Sequence, residues 1–232
     1  MIVSPTLRPS VLSPVPHLEP GLEEVCVEGA SGVAAGLGFL LSAAGDAACG
    51  AGLMVAAPRV WFGERGRLRV DGLAQLGGVR LGLDRDAVLM IAPATEIEAL
   101  WALEEGLRSG AVSLAVGAIE AASLLATRRL DWAARAAGAS VVLIKTRPAR
   151  DLSAARRRWR VAQHPSAAHP FDPKASGSAR WRVTLERSRD GASGAWILEH
   201  DLETHRLRLV ERLADHGLDL GEQEASPLRR SG

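Results

Sequence analysis

A glycine-rich turn between an apolar strand and a small-residue helix is where a phosphate loop occurs, because its backbone amides can curl around phosphate oxygens. The run Glu24-Val25-Cys26-Val27, followed by Gly29, Ser31 and Gly32, offers that context. A working loop also needs a lysine for the β- and γ-phosphates and a hydroxyl for Mg²⁺. Counted from Gly29, the second glycine falls on Ala34, the lysine on Ala35 and the hydroxyl on Gly36. No lysine precedes Lys145. Gly29, Ser31, Gly32, Ala35 and Gly36 therefore read as a vestigial phosphate loop. The apolar run 112–116 leads to Gly117 with no aspartate to hold a metal, and Glu120 reads as a helix-start carboxylate. No catalytic residue and no cofactor are expected.

Other arrangements that could do chemistry are weak. His164/His169 and His200/His205 are five residues apart, which does not stack two rings on one helix face, so no metal site is expected. Cys26 lies in an apolar strand and reads as core, and no Gly-x-Ser-x-Gly elbow occurs. The denser signal is basic and aromatic. Arg156-Arg157-Arg158-Trp159-Arg160 is followed by Arg180-Trp181-Arg182, and Trp159-Arg160-Val161 repeats as Trp181-Arg182-Val183. Tryptophan and arginine are enriched at binding hot spots, so these residues, with Trp101, form the expected contact set for a partner or for DNA. The plainer reading of the arginines is a solvated face. For Trp101 and Trp132 it is core packing, and Trp159 and Trp181 stand evenly between core and contact.

The elements that must position these residues follow from apolar periodicity. Strands are expected over 24–27, 53–57, 87–92, 112–116 and 141–144, and helices over 33–44, 96–108 and 121–137, with a short helical candidate at 73–76. Thr95 and Glu98 form a capping box, and Ile97, Leu100, Trp101, Leu103 and Leu107 make an apolar stripe behind it. Strands that are continuously apolar and alternate with helices imply an α/β fold with a mostly parallel sheet flanked by helices. Beyond Lys145 the alternation becomes period two, and 190–194 reads as a turn between the strands 180–185 and 196–199. The expected order is a proline-rich extended arm (1–20), an α/β core (21–150), a β-rich C-terminal extension (151–212) with an antiparallel hairpin, and a disordered tail (213–232). Residues 201–212 form a strand or helix that periodicity does not distinguish.

Composition narrows the classes. Hydrophobic residues are 47% and charged residues 24% of 232, ordinary for a globular chain with a sizeable core. A net charge of +1 gives the whole molecule no demand for nucleic acid, and two cysteines give no disulfide framework. The start carries no signal-peptide pattern and no apolar stretch is long enough for a bilayer, so a cytoplasmic location without membrane contact is expected.

The run from Leu100 through Trp101-Ala102-Leu103-Glu104-Glu105-Gly106-Leu107-Arg108-Ser109-Gly110 to Ala111 resembles a stretch of ImuA proteins. Further matches come in the same order: Thr127-Arg128-Arg129-Leu130, the strand 141–144, Ser153-Ala154-Ala155-Arg156 leading to Arg158-Trp159-Arg160-Val161, then Arg180-Trp181-Arg182-Val183 and His205-Arg206-Leu207. The resemblance covers most of 21–210. It implies a RecA-like fold and an accessory role in SOS mutagenesis and error-prone translesion synthesis. The partners it implies are a catalytically inactive Y-family-like polymerase homologue, an error-prone replicative-type polymerase and RecA itself. The loop from Gly29 to Gly36 departs even from RecA-like patterns.

Three functions are thus open: a non-enzymatic adaptor, a single-stranded DNA-binding module using the arginine and tryptophan strands, and a weak ATPase whose missing lysine is supplied across a subunit interface by Lys145 or Arg147.

Overall fold

The computed structural model describes residues 17–28, 32–44, 52–67, 69, 87–147, 151–172, 174–191, 193–201, 203–204 and 206–213. The helical candidate at 73–76, the loop positions Gly29 and Ser31, most of the proline-rich arm and nearly all of the tail lie outside these residues.

Along the chain run β1 (Gly21–Val27), α1 (Gly32–Ala44), β2 (Gly52–Ala56), α2 (Arg59–Arg65), β3 (Val88–Ile91), α3 (Glu96–Arg108), β4 (Val112–Ala118), α4 (Leu124–Ala136), β5 (Ser140–Lys145), β6 (Arg157–His164), β7 (Arg180–Ser188), β8 (Gly194–His200) and β9 (Leu207–Leu213). The strands form one sheet in the order β3-β2-β4-β5-β1-β6-β7-β8-β9. Neighbours from β3 to β6 are parallel, and β6 to β9 are joined antiparallel. The expected α/β class, with a mostly parallel sheet and an antiparallel C-terminal extension, is what the chain adopts. The extension does not stand apart: β6 inserts beside β1, so the second half continues the sheet of the first.

The central strands are buried along their whole length, as their unbroken apolar runs require. One face packs on α1, where Val25, Val27, Phe39, Leu40, Val142, Ile144, Trp159, Trp181 and Trp196 share an apolar cluster. The other packs on α3 and α4, where Leu22, Met54, Leu103, Leu107, Leu130, Val141 and Leu143 meet. The arm is tied down at its end: Leu18 is buried and its amide donates to the Ala43 carbonyl. The 201–212 ambiguity resolves as strand β9.

Helix α3 has the expected bounds, and the Thr95 hydroxyl accepts from the Glu98 amide at 3.2 Å. The return leg differs from a capping box: the Glu98 carboxylate reaches the Ala94 amide, at 2.8 Å. The buried stripe of α3 is Ala99, Ala102, Leu103 and Leu107, leaving Ile97 and Trp101 outside. The expected stripe holds at Leu100, Leu103 and Leu107 and is corrected at Ile97 and Trp101, because the alanines let the helix lie close to the sheet on a face turned away from those two. Glu120 is also corrected. It precedes α4, and its carboxylate accepts from the Thr146 amide and hydroxyl and from the Arg147 amide, so it braces the loop after β5.

Candidate partner-binding surface

The phosphate-loop positions that the structure describes are packing positions. Ala35 lies in the apolar cluster with Val27 and Phe39 and is 2% exposed. A Cβ on Gly36 would stand 2.6 Å from Val27 Cγ1, so even alanine there forces a shift, and a hydroxyl side chain is larger still. α1 approaches β1 closely because positions 32 and 36 carry no side chain. Lys145, the cation proposed to replace the lost lysine, is 1% exposed and 3.1 Å from the Glu24 carboxylate. Among the described residues no cluster of histidine, cysteine or acidic side chains is placed to hold a metal.

The arginine and tryptophan run is not an open surface. Glu23 and Glu24 stand directly opposite Arg157 and Arg158 in the β1–β6 register, and their side chains leave the sheet on opposite faces. On the α1 face Glu23 accepts from Arg157 Nη2 at 2.7 Å and Nε at 3.1 Å, and from Trp159 Nε1 at 2.6 Å. Burial pushes the Glu23 carboxyl above its ordinary range, although Arg157 and the indole oppose that. On the other face Glu24 lies between Arg158 Nη2, at 2.7 Å, and Lys145. Burial alone would raise the Glu24 carboxyl as well, but Lys145, the Ser153 hydroxyl and Arg158 outweigh it and hold it low.

The remaining members of the run are mostly taken up in pairs. Arg156 bridges Glu19 and Asp190, Arg160 pairs with Glu186, and Arg180 pairs with Glu199. Trp159 is 2% and Trp181 6% exposed, and the Trp181 ring lies over Gly38 of α1. Arg182 alone of the expected set in β6 and β7 is exposed without an ion pair among the described residues. Placing Arg157, Arg158, Trp159 and Trp181 on a contact face is thus corrected. β6 is an internal strand, with β1 and β7 on its flanks, α1 across one face and residues 151–156 across the other. Those residues are strapped down: Ala154 N donates to Thr127 Oγ1, and Arg158 and Arg187 donate to the carbonyls of Asp151, Ser153 and Ala155.

The two exposed tryptophans lie on α3 and α4. Trp101 is 62%, Trp132 67%, Leu125 68% and Ile97 79% exposed. Between the helices runs a groove of about 520 Å³ lined by Ile97, Leu100, Trp101, Ala126 and Leu130, with Glu104, Ser123 and Arg129 as its polar members. Arg129 and Arg108 both pair with Glu104, at 2.8 and 2.7 Å, which fixes the spacing of the two helices. Arg128 is exposed on α4 with no ion pair among the described residues. Of these residues only Trp101 belongs to the set expected from sequence, and Trp132 was read as core. Ile97 was expected in the buried stripe of α3, and Leu125, Arg128 and Arg129 were not among the expected contact residues; the signal that could have found the apolar ones is the second stripe of Ile97 and Trp101 on α3 and of Leu125 and Trp132 on α4.

No family model matches the chain. Among solved structures, SulA from Pseudomonas aeruginosa aligns with 53% of this chain and 96% of its own, at 24% identity and a TM-score of 0.38, a likeness too slight to bear on fold or function. Among the described residues no helix is long and apolar enough to cross a membrane. The ImuA proteins of two Caulobacter vibrioides strains, NA1000 and ATCC 19089, are each 37% identical over 176 residues, covering 70% of this chain and 70% of theirs. With this extent of identity, and the family-like motifs built into α3, α4 and β5 to β7, the chain belongs to the ImuA family.

Proposed function

We propose that the chain is a non-enzymatic adaptor of SOS-type, error-prone translesion synthesis that docks a protein partner on the α3–α4 face. ImuA family membership supports the role in SOS mutagenesis. The observation that carries the docking surface is the groove lined by the well-exposed Ile97 and Trp101 of α3, with Leu125 and Trp132 also exposed on α4. An exposed apolar patch rimmed by charge marks an interaction site on a soluble domain. The partner that best fits the family role is a catalytically inactive Y-family-like polymerase homologue, with an error-prone replicative-type polymerase and RecA as further members of the assembly.

The test is calorimetric titration of the purified chain with the Y-family-like homologue of its own host. Trp101→Glu and Trp132→Glu should each weaken binding by about thirtyfold or more, the scale of a hot-spot residue of roughly 2 kcal/mol. Both side chains face solvent, so the melting temperature should hold. Unchanged affinity in both variants would remove this face from the adaptor.

Direct single-stranded DNA binding by the β6–β7 arginines has less support, since their charge is spent on Glu19, Glu23, Glu24, Glu186 and Glu199. Binding of that kind should fall steeply with salt. A gel shift is expected to show little retention at physiological ionic strength, and tight, salt-sensitive retention would restore the reading.

A further inference from the structure

Residues 1–16 precede the described chain, and their composition is unlike that of a solvated tail. Ile2, Val3, Leu7, Val11, Leu12 and Val15 are apolar, Arg8 is the single charged residue, and no carboxylate occurs. A segment that stays in water is ordinarily low in hydrophobicity and rich in charge. Pro5, Pro9, Pro14 and Pro16 also keep these side chains from being gathered on a helix of the arm's own. The surface that covers them must be made elsewhere.

The structure fixes where the arm leaves the fold. The His17 carbonyl accepts from Arg157 Nη2 at 3.1 Å, and Leu18 is buried on the α1 side of the sheet. Four residues on from His17, at most about 14 Å away, Gly21 lies against α4: a Cβ there would approach Arg135 Nε to 3.3 Å. Trp132 is one turn before Arg135 on α4, and Leu152, 76% exposed, sits in the strap tied to Thr127 of the same helix. Beyond them lie Leu125, Trp101 and Ile97. α3 and α4 have 13 residues each, about 20 Å of length, whereas sixteen extended residues span about 50 Å. The arm is therefore long enough to round the amino end of β1 and cross both helices. Phe171, 92% exposed, is a poorer target: it follows the carboxyl end of β6, which runs parallel to β1, so it lies at the far end of the sheet.

Tethering favours this arm over a loose occupant. A segment on a short linker meets its site at an effective concentration of about a millimolar, so a contact with a Kd of about 0.1 mM is about nine-tenths filled within one chain. A second copy at micromolar concentration would fill almost none of it. We propose that the arm lies extended across the α3–α4 face of its own chain, its proline and aliphatic side chains on the rings of Trp132 and Trp101, so that a partner reaches that face only by displacing it. Extended proline-rich segments dock on aromatic-lined grooves while their outer backbone stays in water. The competition rests on the adaptor reading, whereas the contact itself does not.

Hydroxyl-radical footprinting of the full chain at micromolar concentration, read by mass spectrometry, tests the contact. A triple variant, Leu7→Ser with Val11→Ser and Leu12→Ser, removes apolar surface without adding charge. It should raise oxidation of Trp101 and Trp132 by about fivefold or more, the scale for releasing a site that is about nine-tenths covered. Oxidation of Trp159, 2% exposed, and the melting temperature should not move. Replacing the same three residues by isoleucine should keep the protection. Affinity for the Y-family-like homologue should rise about tenfold in the serine variant, because its face is open in every molecule rather than in about one-tenth of them. Equal oxidation in wild type and serine variant overturns the proposal, as does protection that fades on dilution, which would assign the arm to a second copy. Protected tryptophans with equal polymerase affinity in both proteins overturn the competition. Protection without polymerase binding in either protein would leave the arm contact standing and remove the adaptor reading instead.

Discussion

Glu24→Gln is expected to destabilise the fold by about 3–5 kcal/mol, the scale for removing one member of a buried ion pair. Glu24 is fully buried and carries two cations, Lys145 at 3.1 Å and Arg158 at 2.7 Å, themselves 1% and 8% exposed. The amide keeps the volume but leaves both positive charges without a counter-charge in the interior. Lys145→Met should cost clearly less, because Arg158 still neutralises Glu24 and a methionine fits an apolar setting. Urea melts of the three proteins at neutral pH decide the order, and an equal loss in both variants would show that the triad is not centred on Glu24.

The same residue sets an acid limb. The Glu24 and Glu199 carboxyls are each raised by burial and lowered by more from their cations, Lys145 and Arg158 in one case and Arg208 and Arg180 in the other, so both lie below the ordinary range. A carboxyl depressed in the folded state contributes stability that is present above its unfolded pKa, about 4.3, and is lost as pH falls through the folded value. Glu23 runs the other way: its raised carboxyl disfavours the fold when ionised, and protonation as pH falls relieves that cost. As pH falls below about 4.3 the wild type should therefore lose stability more steeply than Glu24→Gln, which lacks the depressed carboxyl, a difference that urea melts across the acid range would read.

The α/β architecture was legible because its strands are unbroken apolar runs and its helices carry caps. Helix α3, between Thr95 and Ser109, was readable to the residue. What was not legible is which polar residues are inside. Glu23 and Glu24 in a strand look like an exposed edge, and Arg157 and Arg158 look like a basic face. They neutralise each other only because β6 returns to β1 from 134 residues away, in parallel and in register. The tryptophans were inverted for a related reason. Trp101 and Trp132 sit in helices where leucine and isoleucine suggest one buried face, but Ala99, Ala102, Ala133 and Ala134 mark the face that goes inward. Alanine adds little to a hydrophobic stripe and much to close approach. Trp159 and Trp181, spaced with arginines at period two, suggest a sheet with a wet face, yet the aromatic side is capped by α1, and on the arginine side the 151–156 strap takes up Arg158 while Arg182 stays exposed. The Phe171 loop left a cue in the sequence, an aromatic between Pro170 and Pro173, but its exposure depends on His169 and Asp172 folding the turn.

Restoring the phosphate loop with Ala35→Lys and Gly36→Ser is expected to damage the fold without producing an ATPase. Position 35 is 2% exposed among Val27, Val33 and Phe39, so a lysine there is forced into apolar surroundings, where an unpaired ammonium costs several kcal/mol or is driven neutral. Position 36 has no room: its Cβ alone would approach Val27 Cγ1 to 2.6 Å, and overpacking of that kind costs about 1–3 kcal/mol. The double variant should lose about 4 kcal/mol or more in a urea melt, and isothermal titration should detect no ATP binding. If it folded as stably as the wild type and bound ATP, α1 would be a phosphate-binding helix lacking only its side chains. The expected loss instead means that the glycine and alanine at these positions have become the means by which α1 packs on β1 and β6. The chemistry of a phosphate loop and the present core would then exclude each other at the same two residues, so that a lysine and a hydroxyl placed there would not make an ATP site.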